Sequence, residues 1–217
     1  MTREREAVDR DPPDLEVLTG RPGPGPHRTT LVRDGREIAT LPDLAPRPDR
    51  LLFVAPWPAP ASIDAGHYAQ DESGTAFWAQ LRRAGIIPPD TSPEVADDAL
   101  VAEGHGLTNV VPTPLDDRSP EAADAADIDA ALRAGIGPLW QKIALWRPAA
   151  VVFVDRRVAV AAAGRAIEER YGQLAGVALG GRPCFVMPAP DDPRDVVDQG
   201  LLILRNLLAS LPRSTRT

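Results

Sequence analysis

Side chains equipped for acid–base or polar recognition chemistry gather in three stretches of this 217-residue chain. The first follows the apolar run Leu51-Leu52-Phe53-Val54, where the loop Ala55-Pro56-Trp57-Pro58-Ala59 leads on to Asp64, His67, Tyr68 and Thr75. Asp64 is the candidate general base, a task a carboxylate performs when it is held against a water or hydroxyl proton. Trp57 cannot share that task, because an indole offers one N–H donor and no acceptor. The second stretch is Gly106-Leu107-Thr108-Asn109, and the third is Met187-Pro188-Ala189-Pro190-Asp191-Asp192 with Arg194 close behind. Each has a plainer reading beside the chemical one. A loop aspartate such as Asp64 commonly forms a turn or faces solvent, and Tyr68 can simply pack beneath its loop.

Metal and thiol chemistry have little to work with in the linear sequence. His27, His67 and His105 share no metal-ligand spacing, and the single cysteine, Cys184, excludes a disulfide framework, a four-cysteine zinc site and an all-cysteine iron–sulfur cluster. The expectation is therefore no metal, no cofactor and a reducing, cytoplasmic home. No apolar window approaches the ~20 residues of a membrane span, so no membrane partner is expected. The net charge of −7 repels polyanions unless basic residues share one face, and Arg82-Arg83, Arg156-Arg157, Arg213 and Arg216 are dispersed.

The elements that must position these stretches can be read from periodicity. Residues 1–28 mix alternating charge with Pro12, Pro13, Pro22, Pro24 and Pro26, the composition of a disordered arm that includes His27. Residues 29–48 read as a hairpin about Asp34-Gly35 followed by a linker. Residues 49–212 form the globular domain and 213–217 a short tail. Within that domain Leu51 to Val54 suits a strand buried on both faces, and Phe77, Trp78, Leu81 and Ala84 recur at helical spacing. A helix over 93–103 precedes a strand over 107–111. A longer helix spans 128–146, with Trp140 on its core stripe and an interruption at Gly137-Pro138. Ala150 to Val154 is the clearest central strand, Asp155 caps a helix running to Glu169, and a strand over 184–187 precedes a C-terminal amphipathic helix. This alternation specifies a three-layer α/β/α domain with a mainly parallel sheet, whose ligands bind at the carboxyl ends of the strands.

The order of these segments resembles the mismatch-specific uracil/thymine-DNA glycosylase branch of the uracil-DNA glycosylase superfamily. Leu52-Phe53-Val54 with Pro58 falls on its F-x-G-I-N-P-G motif, Gly66-His67-Tyr68 on G-H-H-F, and Ser73-Gly74-Thr75-Ala76-Phe77-Trp78 on P-G-N-R-F-W. Gly106 to Val111 falls on G-I-T-N-V-V, and Met187-Pro188-Ala189-Pro190 on L-P-N-P-S-G. The match also takes in Gln141-Lys142-Ile143, Trp146-Arg147-Pro148 and Tyr171-Gly172-Gln173, and it is collinear over most of the chain. The resemblance implies a base-flipping hydrolase of N-glycosidic bonds in DNA repair. It further implies a base pocket made by Trp57, Pro58, His67, Tyr68, Thr75, Thr108 and Asn109, with Tyr68 stacking on the base. A second-motif loop of Ala189, Pro190, Asp191, Asp192 and Arg194 would press on the duplex.

The chemistry-bearing positions depart from that pattern. Trp57 stands where the family's water-positioning Asn would be, Ala189 where its second Asn would be, and Asp191-Asp192 would set carboxylates against phosphates. Three readings follow: a DNA glycosylase with weak or altered activity, a catalytically silent module that binds a nucleobase, a nucleotide or a protein, and a hydrolase of small nucleoside-like molecules.

Overall fold

The computed structural model describes residues 26–115 and 124–211. The first 25 residues of the expected arm and all of the tail lie outside the described residues. A two-stranded hairpin opens the described chain, with β1 (Thr29–Arg33) antiparallel to β2 (Arg36–Thr40). Both residues of its turn, Asp34 and Gly35, adopt left-handed backbone angles (φ 51° and 72°), the requirement of the two-residue turn that this dipeptide signals.

The central sheet has five strands in the order β4-β3-β5-β7-β6. They are β3 (Leu51–Ala55), β4 (Gly106–Asn109), β5 (Ala150–Phe153), β6 (Gly172–Leu179) and β7 (Arg182–Val186). β4, β3, β5 and β7 run parallel, and β6 closes one edge by pairing antiparallel to β7. Among the described residues six α-helices accompany the sheet: α1 (Pro60–Ala65), α2 (Glu72–Ala84), α3 (Ala96–Ala102), α4 (Ala125–Trp146), α5 (Arg156–Ala163) and α6 (Arg194–Ser210).

Alternation along each central strand decides which helices go where, since successive side chains leave a strand on opposite faces. Leu51 and Phe53 of β3, with Ala150 and Val152 of β5, pack against α2, α3 and α6 through Trp78, Leu81, Leu100, Val197 and Leu201. Leu52 and Val54, with Val151 and Phe153, pack on the other face against α4 and α5 through Leu132, Leu139, Ile143 and Val158. The expected three-layer α/β/α architecture is what these two cores build. No helix among the described residues is long and apolar enough to cross a membrane.

Several local readings need correction. α4 runs unbroken through Pro138, so the expected interruption at Gly137-Pro138 does not break it. Trp140, expected in the core, is 44% exposed, because the buried stripe of α4 runs through Leu132, Leu139, Lys142, Ile143 and Trp146 instead. α5 stops at Ala163, far short of Glu169, where Gly164 takes the left-handed conformation (φ 64°) that ends helices. The chain released there forms β6, an edge strand with an irregular register that the sequence pattern does not announce. His27, assigned to the arm, is buried at 7% exposure and held by the globular body. The 3₁₀ turn Pro93–Val95 leads into α3, which occupies only part of the helix expected there.

Candidate functional site: a cleft at the carboxyl ends of the parallel strands

A cavity of about 730 Å³ opens where β3, β4, β5 and β7 end. The parallel sheet dictates that location, since the connections leaving four neighbouring strands diverge there and leave a crevice between them. Its walls come from the loop Ala55 to Ala59 after β3, from Tyr68 to Gly74 at the start of α2, and from Leu107 and Asn109 of β4. The stretch Val154 to Arg157 after β5 and the loop Met187 to Asp192 after β7 add to it, together with Ser62, Phe77 and Arg170.

Three aromatic residues contribute to the wall. Trp57 lines the cavity and is half-buried, and its indole lies under the Arg157 guanidinium, 5.3 Å from the ring centre. Phe77, on α2, adds a second ring to the wall and packs edge-on against Phe53 at 5.9 Å. Tyr68 contributes a third ring, and its phenol is fully engaged: Oη donates to the Pro42 carbonyl at 3.0 Å and accepts from Asn109 Nδ2 at 3.4 Å. Burial, reinforced by the charges of Asp43 and Asp97, holds the Tyr68 phenol well above its usual pKa, so it remains a neutral donor.

Asn109 is the site's unusual group. It ends β4, is 4% exposed and lines the cavity, yet its Oδ1 has no hydrogen-bond partner. A buried carbonyl left without a donor costs about 1–3 kcal/mol relative to a paired one.

The carboxylates that reach the cavity have structural duties. Asp71 caps α2, accepting from Gly74 N at 2.7 Å and from Ser73 Oγ at 3.0 Å. Asp155 caps α5 by accepting from Arg157 N at 2.7 Å, and it also pairs with the Arg157 side chain, whose guanidinium is held still more firmly protonated by that bond. Asp192 accepts from Ala189 N at 2.9 Å and pairs with Arg170 at 2.9 Å. Arg156, also on the wall, donates to the Ile167 carbonyl. Cys184 is buried in β7 with its thiol pushed up to about 11 by desolvation, so no thiolate serves this cavity near neutral pH.

Of the residues singled out in the sequence, the structure brings Trp57, Pro58, Tyr68, Asn109, Ala189, Pro190 and Asp192 to the cavity wall. Others go elsewhere. Asp64, the candidate base, is exposed on α1 and is not part of the wall. Thr75 is exposed, with its hydroxyl donating to the Asp71 carbonyl one helical turn back. Thr108 is buried in a polar knot with Asp43 and Lys142, whose Nζ lies 2.8 Å from Asp43 Oδ1. His67 bonds Asp97 at 2.9 Å. Asp191 is exposed, and Arg194 lies 3.9 Å from Asp198. Sequence reasoning missed Phe77 as a wall residue and missed Asp71, Asp155, Arg157 and Arg170. The N-cap position of Asp155 was legible, whereas its place at the cavity depends on the strand order.

Gly74 shows how tightly one wall is built. A Cβ on this residue would run into the Ala69 carbonyl oxygen and carbon, both backbone atoms that cannot swing aside. Gly74→Ala is expected to cost about 1–3 kcal/mol of stability and to displace the Tyr68-Ala69 segment. Thermal unfolding tests this; an unchanged Tm would show that the wall is looser than its geometry says.

No family model matches the chain, and no curated protein does. Among solved structures, similarity extends to a domain of unknown function from Bordetella bronchiseptica, crystallised as a domain-swapped dimer with bound citrate. Identity to it is 15% and the TM-score 0.32, over 75% of this chain and 42% of the other, so the chain spans less than half the length of that protein. The expected membership in the uracil-DNA glycosylase superfamily is corrected accordingly, and with it the expectations of DNA repair and base flipping. The physical reason lies in what the matching segments do. His67, Thr75 and Thr108 are spent on internal hydrogen bonds, and the apolar strands and Gly- or Pro-bearing loops around them suit any parallel α/β sheet.

Proposed function

We propose that the cleft binds a small planar heteroaromatic molecule of the nucleobase or nucleoside class, and that it binds this ligand without transforming it. The observation that carries this reading is the side chain of Asn109 among the cavity-lining residues, whose enclosed Oδ1 has no hydrogen-bond partner and meets a ligand on a small rotation of the amide. An acceptor of this kind is satisfied by a ring N–H or an exocyclic amine, while Trp57, Tyr68 and Phe77 offer apolar faces and edges to a flat ring. The volume suits a nucleoside-sized molecule.

The state of the carboxylates supports binding over hydrolysis. Hydrolysis of a glycosidic bond needs a group free to position or deprotonate water. Among the described cavity residues, Asp71, Asp155 and Asp192 already cap helices, brace a loop or pair with arginine. A small ligand also suits the net charge of −7 better than duplex DNA does, since phosphate contacts require an uncommitted basic surface.

Thermal-shift and calorimetric titrations of the full chain with free bases, nucleosides and nucleoside monophosphates test the reading. A binder is expected to raise Tm increasingly as its concentration exceeds Kd. Asn109→Leu is expected to weaken it about 5–150-fold, the equivalent of the about 1–3 kcal/mol lost when a buried polar pair is broken. The same variant removes the unsatisfied Oδ1 but also the Nδ2 bond to Tyr68 Oη, so its unfolding midpoint is measured alongside its affinity. The reading fails if no compound of the panel stabilises the protein, or if Asn109→Leu binds as well as the parent. Release of free base from a nucleoside would replace binding by hydrolysis.

A further inference from the structure

The second polar concentration lies apart from the cavity wall, behind Tyr68. His27, His67, Asp97 and Asp98 place one potential ligand atom each within 4.8 Å of all the others. We propose that these four residues form a binding site for one divalent transition ion of the Zn²⁺ type, which ties the segment before β1 to the loop that carries Tyr68.

The donors come from three separated parts of the chain. His27 shortly precedes the hairpin, and its backbone N–H donates to the carbonyl of Gly66, the residue that ends α1. His67 follows Gly66 directly, and Asp97 and Asp98 belong to α3. His27 Nε2 lies 2.7 Å from Asp98 Oδ1, and His67 Nδ1 lies 2.9 Å from Asp97 Oδ1. The two imidazoles meet edge to face at 5.6 Å between centroids. Zn–N and Zn–O bonds of about 2.0–2.2 Å imply tetrahedral edges of about 3.3–3.6 Å. The two hydrogen-bonded pairs lie just below that value and no pair exceeds 4.8 Å, so side-chain rotation can bring the four atoms to tetrahedral spacing.

Charge and burial favour an ion there. The side chains are 7%, 12%, 0% and 18% exposed for His27, His67, Asp97 and Asp98, so two carboxylates sit in a poorly hydrated place. One divalent cation with two neutral imidazoles balances the charge of the two carboxylates. Asp97 is already oriented for ligation: Tyr68 N donates to its Oδ2 at 2.9 Å, and Asp98 N donates to its Oδ1 at 3.0 Å. Backbone donors of this kind fix a ligating carboxylate from behind. Two imidazole nitrogens with two carboxylates suit zinc and its neighbours, whereas Mg²⁺ and Ca²⁺ favour all-oxygen sites. Asp98, the most exposed of the four, marks the side from which an ion enters.

The proposal is independent of any ligand in the cleft and is tested without one. The full chain, stripped with a chelator, is titrated calorimetrically with Zn²⁺ and, in parallel, with Mg²⁺ and Ca²⁺; Co²⁺ serves as a spectroscopic probe. One Zn²⁺ per chain, a raised Tm, four-coordinate d–d absorption with Co²⁺ and no response to Mg²⁺ or Ca²⁺ are the expected results. His27→Gln and Asp98→Asn each remove one donor at the edge of the cluster. Each is expected to weaken Zn²⁺ binding by at least the roughly 10–100-fold that loss of a supporting group costs a metal site. Circular dichroism of each ion-free variant checks its fold. Should one variant fail to fold, the other and the titration of the parent protein decide the matter. Absence of saturable Zn²⁺ binding by the parent, or undiminished binding in a folded variant, overturns the proposal.

Discussion

Trp78→Ala is expected to lower the unfolding free energy by about 3–5 kcal/mol, the cost of removing a large, fully buried aromatic ring. Trp78 has no exposed surface and lies in the core between the sheet and α2, with its ring 4.7 Å from that of Phe77. Truncation leaves a cavity that close-packed neighbours on a sheet cannot collapse to fill. It also removes the donor that Nε1 supplies to the carbonyls of Tyr68 and Ala69, at 3.2 and 3.1 Å. Those carbonyls belong to residues of the cavity wall, so the variant should also lose affinity for the ligand class proposed above. Trp78→Phe separates the two contributions: it keeps most of the apolar volume, loses the donor, and is expected to cost roughly 1–3 kcal/mol. Denaturant unfolding at neutral pH measures both. A loss below about 1 kcal/mol for Trp78→Ala would contradict its place in the core.

Acidification should act chiefly through His105. This residue is 2% exposed, its Nδ1 accepts from Leu51 N at 3.1 Å, and desolvation, aided by the Arg50 charge, lowers its pKa from 6.5 to about 4. The folded protein therefore keeps the imidazole neutral where the unfolded chain would protonate it. The contribution is complete above pH 6.5 and is lost progressively as pH falls toward about 4, where the folded state too must take up the proton. The full span corresponds to about 3 kcal/mol. Protonation also abolishes the acceptor for Leu51 N, at the first residue of the central strand β3. His105→Asn is expected to flatten the pH dependence of the urea midpoint between neutral pH and pH 4 relative to the parent. An equally steep decline in the variant would assign the acid sensitivity to other groups.

The architecture was legible in the sequence because it rests on local patterns. Apolar runs such as Leu51 to Val54 and Ala150 to Val154 have no polar face to offer solvent, so they had to become central strands. The Asp34-Gly35 turn and the Asp155 cap are equally local, each a matter of one residue's backbone preference or side-chain reach. Reading failed where tertiary packing overrides local signals. Trp140 has a core residue's chemistry but points away from the stripe that α5 and the sheet cover. β6 alternates too weakly to be seen, and it forms because the edge of β7 needs a partner.

The candidate site divides along the same line. That the loops after β3, β4 and β7 would meet was determined by the sequence alone, because a parallel α/β alternation sends all of them to one edge of the sheet. Which of their side chains would face the crevice was not. Asp64 and Trp57 share one loop region, yet only Trp57 reaches the wall, since α1 turns Asp64 outward to solvent. The unpartnered Asn109 Oδ1 is a property of what surrounds it and has no signature in the chain itself. The cluster of His27, His67, Asp97 and Asp98 has no ligand spacing, because its members are spread over three segments that only the folded chain brings together. Secondary structure and strand polarity follow from the periods of 3.6 and 2 that neighbouring residues share. Contacts between residues tens of positions apart are set by strand order and helix packing, and those the tertiary structure alone decided.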